Sequence, residues 1–480
     1  MVRRTLLTAT FLIACLCSAL TAAREPEVLR QLPVADAEAF TFSNDDVTRI
    51  LEDRVDRLQK GVGIVVGLVD QTGTRVISYG TMDRKSHRPV NGESVFEIGS
   101  ITKVFTAVLL ADMVEHGEVR LDDPISKYLP ASVTAPTRNG QQITLAHLST
   151  HTSGLPRMPG NFVPLWWRLC FWCWDAGPLY SRYSVEQMYM FLSTYKLERD
   201  IGAKAEYSNY AVALLGQILA RRAGTDYATL VRTRITQPLG MTDTALRPTP
   251  EMQTRVAHGH RQSLKPAPNW DLSGAFAAAG GLHSTATDLL KFAAANLGLR
   301  SSPVLAAMQR SHQPNDTAKM QMGLGWGISK PCGAEIREHN GGTGGYASYL
   351  GVDLQRRRGV VVLSNTTNDI DDIGHRLLES RLPLFRDRTA IKLNGETLDA
   401  YVGEYQLQPN AVLTLTRRGG RLFGQRTGGD KMEIFAESQT EFFLKAANMQ
   451  FTFVKDNAGR VTQVVIHYQC GVDERGLKVK

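Results

Sequence analysis

Two pairs of β-rich segments lie far apart in the chain and constrain its fold more than any other feature. The first pair covers residues 63–69 and 75–79, and the second covers residues 346–352 and 360–363. Each pair predicts a β-hairpin, whereas residues 121–300 between the two pairs carry mainly helical patterns. Strands on both sides of a helical block imply one sheet whose two halves are distant in sequence.

Helical spacing of apolar residues marks much of the remaining chain in this region. It occurs over residues 45–60, from Ser100 to Glu115, and over about residues 371–383. A glycine before Ser100 and an apolar run after it place this serine at a helix N-terminus, in an N-cap-like position. We therefore expect an α/β (α+β) domain over residues 38–388, with an antiparallel sheet, flanking helices and an inserted helical subdomain.

The pattern changes at about residue 395, where short alternating strands with Gly-rich turns begin. The pattern marks strands at residues 401–405, 412–415, 442–444, 451–453 and 464–467. This pattern is typical of a small antiparallel barrel or sandwich. We expect residues 395–480 to form a separate β-barrel domain.

The N-terminus has the layout of a secretory signal peptide. Two arginines precede an apolar run over residues 5–20, and small residues precede the charged stretch that starts at Arg24. We expect residues 1–23 to direct export to the periplasm or beyond the cell. The run Leu12–Cys15 also resembles a bacterial lipoprotein signal, which leaves a lipid anchor on Cys15 and peripheral membrane attachment open.

Charge and composition point away from nucleic acid as a partner. The chain of 480 residues carries a formal net charge of +8, and its basic residues are spread along the sequence. No nucleic-acid-binding motif accompanies them. The composition, 43% hydrophobic and 21% charged, is that of an ordinary globular protein.

Cysteines outside the predicted signal peptide allow three disulfide pairings among Cys170, Cys173, Cys332 and Cys470. Cys170 and Cys173 have the spacing of a redox dithiol but lie in a Trp-rich segment, residues 165–174, where a structural disulfide or two free thiols fit better. This segment either edges a substrate cleft or contacts a membrane or glycan surface, or it packs against the C-terminal domain. The sequence leaves these alternatives open.

A candidate nucleophile and its base are three residues apart at Ser100 and Lys103. Residues at this spacing share a helix face, with about 5 to 6 Å between their Cβ atoms. Lysine can act as the base only if burial or a neighbouring cation lowers its pKa, and the apolar neighbours favour burial. Ser-x-x-Lys alone is weak support, because most chains of this length contain one by chance.

Two further motifs follow in order: Tyr207-Ser208-Asn209, and the glycine-rich run His339–Gly345 beside a returning strand. With these motifs, the chain over about residues 45–385 resembles the class C β-lactamase and penicillin-binding protein family. That family includes DD-carboxypeptidases, D-aminopeptidases and esterases. The C-terminal domain resembles the lipocalin-like module that is appended to some of these hydrolases.

The resemblance implies a role for each motif residue. Ser100 would form the acyl-enzyme, Lys103 would take or relay its proton, and Tyr207 would act as partner base and as the acid that protonates the leaving amine. Asn209 would hold the substrate amide. The N–H groups of Ser100 and Gly342 would form the oxyanion hole, and a substrate lying on bare backbone would explain Gly341 and Gly342.

His339 departs from the family pattern, in which the third motif usually begins with lysine. A lysine ammonium is charged near neutral pH and grips a substrate carboxylate, whereas histidine is only partly charged. With histidine at this position, the chain resembles those relatives that have esterase or aminopeptidase activity. The reaction class is therefore better defined than the substrate.

No cofactor or metal is expected. His147 and His151 are four residues apart, but the zinc-protease glutamate and a third ligand are missing from the pattern. The chain also lacks a Gly-x-Ser-x-Gly elbow, which argues against an α/β-hydrolase.

The compartment and the resemblance favour a D-alanyl-D-alanine carboxypeptidase or endopeptidase acting on peptidoglycan peptides. A class C-type β-lactamase with β-lactam substrates is the nearest alternative, followed by an esterase or D-aminopeptidase. A silent penicillin or muropeptide sensor is the alternative outside enzymes, and three intact catalytic residues argue against it. The sequence gives no oligomeric state.

Overall fold

The computed structural model describes residues 39–163, 177–314, 322–384, 388–444 and 449–480. The predicted signal peptide with Cys15, and the Trp-rich segment with Cys170 and Cys173, lie outside these ranges. Among the described residues, no helix combines the length and the apolar character needed to cross a bilayer.

Ten short strands are found among the described residues of the N-terminal part. They are β1 (Gly63–Asp70), β2 (Gly73–Gly80), β3 (Phe96–Glu97), β4 (Thr137–Arg138), β5 (Gln141–Gln142), β6 (His283–Ser284), β7 (Gly327–Ser329), β8 (Ile336–Gly342), β9 (Ala347–Asp353) and β10 (Arg358–Ser364). Six of them form an antiparallel sheet in the order β2-β1-β10-β9-β8-β7. Ile64 of β1 lies opposite Ser364 of β10, so the two distant halves meet in one sheet as predicted.

The α-helices of the same part surround this sheet. They are α1 (Asn44–Glu52), α2 (Thr102–Glu115), α3 (Leu145–Ser149), α4 (Gly177–Arg182), α5 (Val185–Thr194), α6 (Asn209–Arg222), α7 (Tyr227–Val231), α8 (Pro250–Gln253), α9 (Ala277–Gly280), α10 (Ala286–Asn296), α11 (Leu305–Ser311) and α12 (Asp371–Leu378). The helix predicted over 371–383 ends earlier than expected. The helix predicted over 45–60 changes to a π-helical turn at Asp53–Arg57.

Alternation along β1 explains why both faces of the sheet are covered. Val65 and Val69 point into the core that contains α2 and α10, whereas Ile64, Val66 and Leu68 point into a second core with α1 and α12. Successive strand residues face opposite sides of a sheet, so an apolar run without polar interruption needs a helical layer on each side. The expected antiparallel sheet with flanking helices is confirmed.

Helix α2 is the central element of the helical part. Its residues from Thr102 to Met113 are all buried, and the helix contacts α6, α9 and α11. A helix that is apolar on all sides is stable only inside a core. Its N-terminus is thereby fixed between the sheet and the helical block, where Ser100 and Lys103 lie.

The C-terminal part is a closed eight-stranded antiparallel barrel, preceded by the short helix α13 (Gly395–Asp399). Its strands are β11 (Gly403–Gln408), β12 (Ala411–Arg418), β13 (Arg421–Arg426), β14 (Met432–Ala436), β15 (Glu441–Phe443), β16 (Gln450–Lys455), β17 (Val461–His467) and β18 (Asp473–Lys478). Strand β18 pairs back onto β11 and closes the barrel. The predicted barrel is confirmed, although the sequence pattern had not marked β13, β14 and β18.

A disulfide between Cys332 and Cys470 joins the two parts of the molecule. Cys332 lies in the 3₁₀ turn Pro331–Gly333 between β7 and β8, and Cys470 lies in the turn between β17 and β18. The bond selects one pairing from those that the sequence left open, and it ties the barrel to the sheet.

Candidate active site

Ser100 lies in a 3₁₀ turn, Gly99–Ile101, immediately before α2. The prediction that Ser100 occupies an N-cap-like position is wrong in detail, because the N-cap residue of α2 is Ile101 and no side chain caps the helix. The physical reason is that the Ser100 hydroxyl is directed toward a side chain: Lys103 Nζ lies 2.9 Å from Ser100 Oγ.

Lys103 is the buried partner of this serine, with only 1% of its surface exposed. Its Nζ atom lies 2.6 Å from the carbonyl oxygen of Ala279, on α9. Burial lowers the pKa of Lys103 well below its usual value, and the charge of Arg157 lowers it further. A neutral amine can donate one N–H to Ala279 and still offer its lone pair to the Ser100 hydroxyl proton.

Tyr207 is held beside this pair by the start of α6, where Ser208 is the N-cap residue. Lys103 Nζ lies 4.9 Å from the centre of the Tyr207 ring. Burial raises the pKa of Tyr207 to about 12, an effect that the Ser100 side chain and the charge of Arg157 partly offset. The phenol therefore stays protonated near neutral pH and can supply a proton.

His151, which follows α3, packs against the Tyr207 ring. The centres of the two rings are 4.6 Å apart, and the Ser208 N–H donates to His151 Nδ1 at 3.2 Å. Burial lowers the pKa of His151 well below its usual value, so the ring is neutral. His147 instead belongs to the capping box of α3, in which its Nδ1 atom accepts the N–H of the N-cap residue Thr144. Among the described residues, no cluster of three metal-ligating side chains is present.

Asn209 is the first residue of α6 and lines the cleft above Ser100. Its Nδ2 atom lies 3.7 Å from Met158 Sδ, a weak contact that leaves the amide available to a substrate. The position agrees with the predicted contact to a substrate amide, which stays a prediction.

His339 lies within β8, so the third motif is part of a strand and not a loop beside one. The His339 side chain faces the site, with its ring centre 6.1 Å from that of Tyr207. The next side chain, Asn340, points away from the site and donates to Asp371 on α12. Burial, and then the charge of Lys103, lowers the pKa of His339 to about 4. Its Nδ1 atom lies 2.6 Å from the Asn340 carbonyl oxygen.

The two glycines after this motif have different physical roles. A Cβ atom on Gly341 would lie 2.1 Å from the carbonyl oxygen of Ile98 and 2.3 Å from Ser348 Oγ, so packing excludes a side chain there. At Gly342, no atom lies within 4 Å of the position that a Cβ atom would take. Packing by itself therefore accounts for glycine at position 341, and contact of Gly341 and Gly342 with a substrate stays a prediction.

Gly99 is a site residue that the sequence analysis missed. Its φ is +48°, and a Cβ atom there would lie 2.8 Å from the backbone nitrogen of Gly342. Only glycine combines this conformation with such a close approach. The turn that carries Ser100 is thus pressed against the end of β8, which brings together the two backbone segments that were expected to supply the oxyanion hole.

The described cleft is narrow and has an aromatic wall. Its lining consists of Gly99, Ser100, Tyr180, Asn209, Trp270, Leu272, Phe276, Ala279, Gly280, Gly342 and Thr343. Tyr180 contacts both Trp270 and Phe276, with ring centres 5.3 Å apart in each pair. No local motif marks these residues, and only the fold brings them to the cleft.

Arg157 is another residue that the sequence analysis did not single out. Its guanidinium carbon lies 5.1 Å from the centre of the Tyr207 ring. Its carbonyl oxygen accepts the N–H groups of Asn209 and Tyr210 at the start of α6. The side chain is exposed, so its positive charge lies at the surface beside the Tyr207 ring.

Comparison with known families gives two matches that divide the chain. The family model described as Beta-lactamase matches residues 49–380. A second model, described as a domain of unknown function (DUF3471), matches residues 387–480, which include the barrel.

Individual proteins show the same similarity. The D-alanyl-D-alanine-carboxypeptidase/endopeptidase AmpH of Escherichia coli K12 is 31% identical over 349 residues, which cover 69% of this chain and 85% of AmpH. Penicillin-binding protein 4* of Bacillus subtilis is 27% identical, covering 84% of this chain and 92% of that protein. The structure of a β-lactamase/D-alanine carboxypeptidase from Yersinia pestis superimposes with a TM-score of 0.60 at 26% identity, over 70% of this chain and 98% of that chain.

Proposed function

This chain belongs to the beta-lactamase family of serine hydrolases, and we propose that it is a D-alanyl-D-alanine carboxypeptidase/endopeptidase acting through an acyl-enzyme on Ser100. The observation that carries the proposal is the 2.9 Å contact between Ser100 Oγ and the buried amine of Lys103. The name of the similar AmpH protein supports the peptide substrate class.

Acylation begins at the Ser100 hydroxyl. The neutral Lys103 amine takes the hydroxyl proton while Oγ attacks the carbonyl carbon of the scissile peptide bond, which produces a tetrahedral oxyanion and a Lys103 ammonium. The Ala279 carbonyl keeps the amine oriented through the 2.6 Å contact.

The oxyanion is bound by backbone N–H groups in this proposal. Ser100 and Gly342 donate to it, and the close approach of Gly99 to Gly342 holds the two segments together. Because these donors belong to the main chain, they need no reorganisation during the reaction.

Tyr207 then protonates the leaving amine. The new ammonium of Lys103, 4.9 Å from the ring centre, favours loss of the phenol proton because it stabilises the phenolate. The carbon–nitrogen bond breaks, the amine leaves with the proton, and the phenolate recovers a proton from Lys103. Water then attacks the acyl carbonyl carbon, and Tyr207 relays the water proton to the neutral Lys103 amine. The ester bond to Ser100 Oγ breaks, the acid product leaves, and Oγ takes its proton back from the Lys103 ammonium.

The remaining predictions about the whole chain become part of the proposal. Residues 38–388 would be the catalytic domain and residues 395–480 a separate barrel domain. Residues 1–23 would be a signal peptide that exports the protein to the compartment in which peptidoglycan is found. Peptidoglycan peptides, rather than β-lactams, would be the natural substrate.

The test combines peptide cleavage with detection of the adduct. A peptide that ends in D-Ala-D-Ala is expected to release D-alanine, and mass spectrometry after incubation with penicillin is expected to show a penicilloyl group on Ser100. Fast penicillin turnover without D-alanine release would establish the β-lactamase alternative instead. Ester cleavage without either activity would point to the esterase or D-aminopeptidase alternative.

Matched variants separate chemistry from folding. Ser100→Ala should abolish the adduct, and Lys103→Met should slow acylation by about 10²- to 10⁴-fold because the general base is lost. Ser126→Ala changes an exposed serine whose hydroxyl contacts Gln142, and it should behave as the unmodified protein. An adduct that survives Ser100→Ala would exclude this site.

A further inference from the structure

Burial removes the charge from most basic side chains around Ser100. Lys103, His151 and His339 are all buried, and burial is the largest cause that lowers the pKa of each. His339 also has its Nδ1 atom engaged by the Asn340 carbonyl. The third motif therefore offers no cation to a substrate carboxylate near neutral pH.

Arg157 keeps its charge, because a guanidinium is not deprotonated in proteins. Its guanidinium carbon and Lys103 Nζ lie 5.1 Å and 4.9 Å from the centre of the same Tyr207 ring. Within the described part of the chain, no carboxylate forms a salt bridge with this guanidinium.

The backbone and the ring both restrict where this side chain can be. The Arg157 carbonyl accepts two N–H groups at the start of α6, at 3.1 Å from Asn209 and 3.3 Å from Tyr210. The stacking of a guanidinium on an aromatic face restrains the head group further. A planar, restrained guanidinium suits the two oxygens of a carboxylate.

We propose that Arg157 binds a carboxylate of the substrate and gives the cleft its preference for acidic peptides. The proposal rests on the acyl-transfer function above. It assigns to Arg157 the binding of a carboxylate that His339 of the third motif does not provide. The carboxylate can come from the terminus of the leaving residue or from an acidic group on the acyl part of the peptide. The Arg157 carbonyl oxygen accepts the N–H of Asn209, which is expected to hold the substrate amide. This contact favours an acidic group on the acyl part as the source of the carboxylate.

Four peptides distinguish these sources. The peptides of one pair differ only in a free or an amidated C-terminus. The peptides of the other pair differ only in glutamate or glutamine one residue before the scissile bond. We expect Arg157→Met to reduce the kcat/KM preference for the charged member of one pair by about 10- to 100-fold, the effect of one charge-assisted contact. Arg157→Lys should restore part of the preference because it keeps the charge without the planar fork.

Controls separate this role from a general effect on the chemistry. Arg418→Met removes an exposed arginine of the barrel and should leave every preference unchanged. A change in the pKa of Lys103 would slow or speed both members of a pair equally, so only the ratio of their kcat/KM values reports carboxylate binding. In the unmodified protein, added salt should weaken the ratio, and this dependence should vanish in Arg157→Met.

Binding of the same peptides to the Ser100→Ala variant gives a readout that does not require turnover. A charge preference that Arg157→Met removes in this background supports the proposal, even if the natural reaction proves to be another acyl transfer. Equal losses for charged and amidated peptides, or no loss at all, would overturn it. Absence of acylation at Ser100 would instead refute the proposed function alone.

Discussion

Gly99 approaches the end of β8 so closely that a Cβ atom on it would lie 2.8 Å from the backbone nitrogen of Gly342. These residues are far apart in sequence, and the contact joins the turn of Ser100 to the third motif. The position of the turn that carries Ser100 therefore depends on a residue that has no side chain.

Gly99→Ala should reduce both stability and acylation. The substitution forces a side chain into a φ of +48° and against the backbone of Gly342, so we expect a loss of about 2 to 4 kcal/mol in the free energy of unfolding. Gly117→Ala is the matched control, because φ there is +69° but no atom lies within 4 Å. It should cost only about 1 kcal/mol and leave acylation unchanged. Urea unfolding and penicillin acylation rates measure the difference, and equal effects of the two changes would contradict this account.

The pH dependence of acylation should follow the protonation of Lys103. The reaction needs the neutral amine, so activity should fall as pH decreases through the lowered pKa of Lys103 and stay high until Tyr207 ionises near 12. Arg157 lowers the pKa of Lys103 through its charge, and its removal must raise that pKa. Arg157→Met should therefore move the acidic limb of kcat/KM to higher pH.

This shift is best measured with an uncharged p-nitrophenyl ester, so that substrate charge plays no part. Arg418→Met should leave the acidic limb in place. An acidic limb that stays fixed in Arg157→Met would show that the arginine charge does not reach Lys103.

Tyr207→Phe should reduce kcat by about 10²- to 10⁴-fold without unfolding the protein. The phenylalanine ring keeps the contacts with His151 and Arg157, so only the proton donor is lost. Tyr183→Phe removes a hydroxyl that donates to Asn161 and should retain activity. Peptide hydrolysis and thermal unfolding of both variants provide the measurement; wild-type turnover by Tyr207→Phe would assign the proton donor elsewhere.

Loss of the Cys332–Cys470 bond should destabilise the molecule more than it affects activity. The bond closes a loop with a sequence separation of 138, and its removal should cost about 2 to 5 kcal/mol. Cys332 precedes β8, whereas Gly342 is the last residue of that strand. The length of β8 separates the two residues by about 20 Å. Cys332→Ser and Cys470→Ser should give the same lowered melting temperature and nearly unchanged ester turnover. Unequal effects of the two serine variants would argue against the pairing.

Local pattern was sufficient for the elements of the site that lie next to one another in sequence. Helical spacing puts Lys103 on the same face as Ser100, and the structure brings the two side chains together at 2.9 Å. Period-2 alternation and buried apolar runs likewise predicted the two hairpins and the existence of the barrel. Strand β18 was missed because its residues are mostly polar or exposed, so they carry little hydrophobic signal.

The sequence by itself determined the reaction class, because the order of the three motifs and the spacing of Ser100 and Lys103 are properties of the chain. Only the tertiary structure decided the charges within the site. Burial, which no local pattern reveals, leaves His339 neutral and the Tyr207 phenol protonated, and folding brings the charge of Arg157 to the Tyr207 ring. Desolvation and through-space charge depend on residues that are distant in sequence, which is why they follow from the fold and not from the motifs.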